Sequence, residues 1–207
     1  VSMHRMTQLV VRARIIGQGA ERFGDVLTSW LEHLLLLFVG RDQGTELRGS
    51  VLGIPEQRAA LPHAVQVAEI VRTDLAHQEL TSEEECICEL VGLLIERTSS
   101  LQRVLGERNQ AASELTRTIE WLGAKVSPPA AVLASLRTVR AGLKQDSGDF
   151  AGAEADLGWS FEWRSSGPDC DNESATAEYV ARARLRASQG DLDGALADIR
   201  YALEREE

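Results

Sequence analysis

Two sets of side chains in this sequence have types and spacings that bear directly on chemistry. The first is Cys86 with Cys88, beside the acidic run Glu83, Glu84 and Glu85. On a helix, residues two apart point about 200° away from each other, which is poor geometry for one metal ion. The cysteines therefore read as small apolar residues of a core. The three glutamates read as the acidic first turn of a helix, complementing its positive end. His4, His33, His63 and His77 are scattered over three helical segments, with no HExxH and no i, i+4 pair, so they form no metal-ligand pattern. Neither GxGxxG nor a GxxxxGKS/T phosphate loop is present, and no Gly-x-Ser-x-Gly elbow presents a nucleophile. The expectation is a protein that is not an enzyme and carries no cofactor or metal.

The second set is basic. Arg140 with Lys144 and Arg182 with Arg186 are each spaced i, i+4, and the two pairs are separated by the same interval of 42 residues. Equivalent positions of a repeated unit line up when the units stack. These four cations are thus candidates for a ladder that docks an acidic peptide or anionic effector, or else for a solvated face paired with nearby acids. Trp121 and Trp163 obey the same interval and read as packing residues between units. Trp159 lies off the apolar stripe described below, which makes it a candidate contact residue.

The interval of 42 belongs to the architecture. VLGERNQAASELTRTIEW, DSGDFAGAEADLGWSFEW and SQGDLDGALADIRYALER place Gly106, Gly148 and Gly190 in register. In register too are Ala111, Ala153 and Ala195, then Leu115, Leu157 and Ile199, then Ile119, Phe161 and Leu203. Residues at i, i+4 and i+8 share a helical face, so each copy carries an Ala-large-large stripe that a single helix cannot bury. Leu101, Leu143 and Leu185 extend the match upstream of each glycine. Each unit is accordingly a helix, a tight turn at Gly followed by Glu107, Asp149 or Asp191, and a second helix. Fixed-period helical pairs stack, because each buries its stripe on a neighbour.

The expected fold is all-α: an α-α superhelix, or solenoid, of antiparallel helix pairs. Residues 81–207 hold three pairs, and residues 1–80 form an N-terminal helical region with helices near Met3 to Ile16, Ala20 to Val39 and Pro62 to Gln78. GRDQGTELRGSVLGIPEQ reads as a loop, and ELTSEEE as a turn into a long helix. The apolar LEHLLLLFV predicts a helix buried on several sides, or one that forms a homodimer interface.

Gln189, Gly190, Asp191, Leu192 and Asp193, followed by Ala195, Ile199 and Ala202, resemble the turn and second helix of a tetratricopeptide repeat. Tyr179 and Ala183 fall where that family's first helix carries an aromatic and a small residue. Arg182 departs from the family's usual Leu, the terminal Pro is missing, and the period exceeds the usual length of about 34. The added length sits in GPDCDNESA and AKVSPPA. The run ARARLRASQGDLDGALADIRYALE also looks like the tetratricopeptide sensor regions of bacterial signalling proteins, particularly large transcription regulators of the maltose-activator type. That resemblance implies a sensory or regulatory module binding a protein, a peptide or a small effector. The alternatives are the sensory or dimerisation region of a GGDEF-type cyclase, and a stand-alone adaptor.

Composition bounds the partners. A chain of 207 residues removes roughly 70% of its unfolded surface from water, enough for a true core. A formal charge of −10 disfavours direct nucleic acid binding, which needs clustered Lys and Arg. The longest apolar run, Leu34 to Val39, falls far short of the roughly 20 residues that span a bilayer, and VSMHRMTQLVVRARIIGQG lacks a signal-peptide core. With three cysteines and no disulfide framework, the expected setting is the cytoplasm, away from membranes.

Overall fold

The computed structural model describes residues 20–38, 54–77, 79–166 and 176–204. Among these residues all regular structure is helical: α1 (Ala20–Phe38), α2 (Ile54–Asp74), α3 (Ser82–Val104), α4 (Arg108–Gly123), α5 (Ala130–Asp146), α6 (Phe150–Ser166), α7 (Thr176–Gln189) and α8 (Leu192–Leu203). None is long and apolar enough to cross a membrane. The all-α class expected from the periodicity is therefore observed, and α3–α4, α5–α6 and α7–α8 form packed adjacent pairs.

The turns explain why the pairs close where they do. Gly106, Gly148 and Gly190 have φ of 82°, 83° and 88°, a left-handed conformation that glycine adopts without steric cost. Beyond each glycine the next N–H reaches back across the helix end. Glu107 donates to the Gln102 carbonyl, Asp149 to that of Lys144, and Asp191 to that of Arg186. The Asp149 carboxylate then accepts from the Gly152 N–H at 2.9 Å, and Asp191 does the same for Gly194, which starts the second helix. A Cβ at Gly152 or Gly194 would lie 2.1 Å from that carboxylate. The first pair has Gln110 at this position, and its Glu107 makes no side-chain cap. An added Cβ at the three turn glycines meets nothing within 4 Å. Gly106→Ala, Gly148→Ala and Gly190→Ala are therefore each expected to cost a similar amount, about 1 kcal/mol from backbone conformation alone, readable as the loss in urea-unfolding free energy.

Two boundaries differ from the sequence reading. Residues expected as loop already belong to α2, which begins at Ile54. Its Pro55 is tolerated because first-turn N–H groups have no intrahelical partner. Pro62 lies inside α2, where it removes one backbone bond. Burial of Ala60, Leu61, Ala64, Val67, Ala68 and Val71 at helical spacing sustains the helix across it. The helix ends at Asp74, short of Gln78. The helix expected over Met3 to Ile16 and the connection GPDCDNESA lie outside the described residues. At α3, Thr81 and Glu84 form a reciprocal capping box.

The chain divides into two compact units, residues 1–129 and 130–207. The periodic pairs begin at α3, so the first pair belongs to the first unit, where α1 and α2 both pack on α3. In α1, Leu27, Trp30, Leu31 and Leu34 are buried at i, i+3, i+4 and i+7, whereas Leu36 is exposed. The described side chains of α1 thus bury one stripe, not several sides. In the second unit α7 packs against both α5 and α6. Ala141, Ala153, Leu157 and Leu185 form its core, flanked by Phe161 and Ala181.

Candidate functional site

The stripe of small and large residues on each second helix is where the three pairs diverge. Ala111, Ala153 and Ala195 are all buried. Leu115 and Ile119 of α4 are buried as well. In α6, Leu157 is buried in the core that includes Leu185 of α7, and Phe161 packs beside it. The equivalent residues of α8, Ile199 and Leu203, are 37% and 59% exposed, and Leu192 and Leu196 on the same helix are more than half exposed. Spaced i, i+4, i+7 and i+11, these four residues form an apolar ridge along α8.

The basic candidates are held differently. Arg140 Nε donates to Asp156 Oδ2 at 2.8 Å and its Nη2 to Oδ1 at 2.5 Å, while Lys144 Nζ lies 2.9 Å from Oδ2. Lys144 also donates to the Gly152 carbonyl. One period later, Arg182 Nε and Nη2 donate to Asp198 at 2.9 and 2.6 Å. Arg186 Nη1 donates to Asp198 at 2.9 Å and to the Gly194 carbonyl. The structure thus assembles two clusters, one per helical pair, in which both cations of the first helix clamp one buried carboxylate of the second. Each cation therefore already has an acid partner in its own pair.

Trp159 joins the first cluster. It is half-buried, with the Arg137 guanidinium 4.4 Å from its ring centroid, and Arg137 Nη1 in turn reaches Asp156 at 3.4 Å. Arg182 stacks over Phe161 at 4.2 Å and over Tyr179 at 5.0 Å. Burial alone would push the Asp156 carboxyl up. The hydrogen bonds from Arg140 and Lys144, and their charges, outweigh burial and hold it below the usual carboxylate range.

The sequence reading named the cations but not their acids. Asp156 and Asp198 are themselves 42 residues apart, with Glu114 one period earlier, and all three are buried. A basic pair and an acid recurring with one period is the signal that would have joined them. In the first pair Glu114 is held instead by Arg72 of α2 at 3.0 Å and by Arg117 at 3.2 Å.

The cysteines separate as their spacing implies. Cys88 is buried, but Cys86 is exposed, contrary to the expectation that both pack in a core. Burial pushes the Cys88 thiol up to about 11, so it is protonated at neutral pH. Among the described residues no group of three or more His, Cys, Asp and Glu is placed to hold a metal. His33 Nδ1 donates to the Ser29 carbonyl at 2.8 Å, and His77 stands 3.4 Å from Glu84. Trp121 donates to the Leu75 carbonyl and lies beneath Lys125 Nζ at 4.9 Å.

No family model, no curated protein and no solved structure matches this chain.

Proposed function

We propose that the chain is a non-catalytic recognition module: a tetratricopeptide-like α-α superhelix serving as the sensory or regulatory part of a bacterial signalling or transcription regulator. The observation that supports this reading is the ridge of Leu192, Leu196, Ile199 and Leu203 on α8. In the preceding pair the equivalents of Ile199 and Leu203, Leu157 and Phe161 of α6, pack in the core that includes Leu185 of α7. By repetition of that interface, the α8 ridge takes a helix with the pattern of α7, which sets Ala181 and Leu185, spaced i, i+4, at the core shared with α6. Its partner is a protein or peptide that presents such a helix. The basic pairs serve this reading by setting each pair's register through Asp156 and Asp198, while Trp159 is engaged by Arg137.

A stapled helical peptide carrying residues 176–189 is the probe. It is expected to bind the chain saturably, and Ile199→Glu with Leu203→Glu, at the equivalents of Leu157 and Phe161, to abolish binding. Both positions are exposed, so the double substitution should change stability by less than about 0.5 kcal/mol per site. No binding at about 100 μM peptide, or binding indifferent to these substitutions, refutes the reading.

A further inference from the structure

We propose that a groove between α2 and the α3–α4 pair binds a short, uncharged peptide segment with aliphatic side chains, through a hydrogen bond from the Gln102 amide to a main-chain carbonyl. The groove measures about 780 Å³, within the roughly 300–1,000 Å³ of cavities that enclose a small ligand, and its walls all belong to the first unit. Leu61, Val65 and Ile70 of α2 supply aliphatic surface. Gln102 of α3 also lines it, is 1% exposed, and its Nε2 is buried without a hydrogen-bond partner. A buried donor without an acceptor is costly to fold, and a ligand carbonyl relieves that cost.

Position 102 shows why this donor is unclaimed. Its equivalents one and two periods later, Lys144 and Arg186, spend their heads on Asp156 and Asp198. The corresponding acid of the first pair, Glu114, is already held by Arg72 and Arg117. Charge then selects the ligand. Arg58 pairs with Glu107 at 3.6 Å and Arg117 with Glu69 at 2.6 Å, so the two arginines and two glutamates of the rim neutralise one another. A carboxylate or an ammonium would have to break one of these pairs, whereas a peptide carbonyl breaks neither.

The test is a titration of the isotope-labelled full chain with N-acetyl-leucyl-leucine methylamide, followed by proton–nitrogen NMR. Saturable shifts are expected at the Gln102 side-chain amide and at the backbone amides of residues 61–70. Gln102→Leu should weaken binding about tenfold while leaving the melting temperature no lower than that of the parent, because it removes a buried donor without opening a cavity. The same dipeptide with a free carboxylate should bind no more tightly. The absence of saturable shifts at about 10 mM overturns the proposal. Shifts confined to other helices, unchanged affinity in Gln102→Leu, or tighter binding of the carboxylate form also overturn it. The groove does not involve α8, so Ile199→Glu with Leu203→Glu should leave this titration unchanged.

Discussion

Asp156→Asn is expected to destabilise the second unit by about 3 kcal/mol, more than Asp198→Asn. The Asp156 side chain is 3% exposed and faces three cations, Arg137, Arg140 and Lys144. Asparagine keeps the shape and removes the charge, leaving those cations without their counterion in a poorly solvated place. Breaking a buried pair from one side costs about 3–5 kcal/mol, and partial exposure of Arg137 and Lys144 to water puts this case at the lower end. At Asp198 only Arg182 and Arg186 lose their partner, and both are about one-third exposed, so water replaces more of what is lost and about 1–2 kcal/mol is expected. Urea unfolding measures both losses. Equal losses at the two sites would mean that the third cation, Arg137, adds nothing.

The same substitution makes a prediction about pH. Because the folded-state pKa of Asp156 is depressed, its contribution is fully present above the unfolded value of about 3.9 and disappears as pH falls through the lower folded value. The stability gap between the parent and Asp156→Asn should therefore be constant near neutral pH and close in acid. A gap that widened in acid would assign the carboxyl a raised value and contradict the hydrogen-bond geometry.

These buried acids also mark the limit of what the sequence disclosed. The period, the turn glycines and the Ala-large-large stripe were legible because each depends on neighbours within one helix or one turn. The partnership of Arg140 with Asp156 spans the turn, and only the register set by Gly148 and the Asp149 cap brings the two together. The i, i+4 spacing of Arg140 and Lys144 correctly put both on one face. It carried no information that the face looks onto a carboxylate of the next helix. Pro62 misplaced the start of α2 because local backbone chemistry argued for a boundary, while burial of Leu61, Ala64 and Val67 on either side of it decided the outcome. Cys86 and Cys88 pointed to opposite faces by spacing alone, and a helix with one buried face exposes one of two such residues.

Arg72→Met is expected to cost the first unit about 3 kcal/mol, and the reason lies in how the first pair departs from the other two. Glu114 occupies the position of Asp156 and Asp198 and is also buried, but Thr98 and Gln102 stand where the later pairs carry Arg140, Lys144, Arg182 and Arg186. The missing cation comes from α2. Arg72, 7% exposed, donates to Glu114 at 3.0 Å, to Thr118 Oγ1 at 2.9 Å and to Glu69 at 2.8 Å. Methionine fills its volume and leaves Glu114 with Arg117 as its remaining cation, which is itself half exposed. Two second-site changes should recover stability by different routes. Glu114→Gln removes the stranded charge, and Gln102→Lys supplies a cation from the position that Lys144 occupies in the next pair. A coupling of about 1–3 kcal/mol in the cycle of Arg72→Met with Glu114→Gln would establish that α2 is fastened to the first pair by this charge. Additive losses would show that Arg72 acts through its packing alone, and rescue by Gln102→Lys would then fail as well.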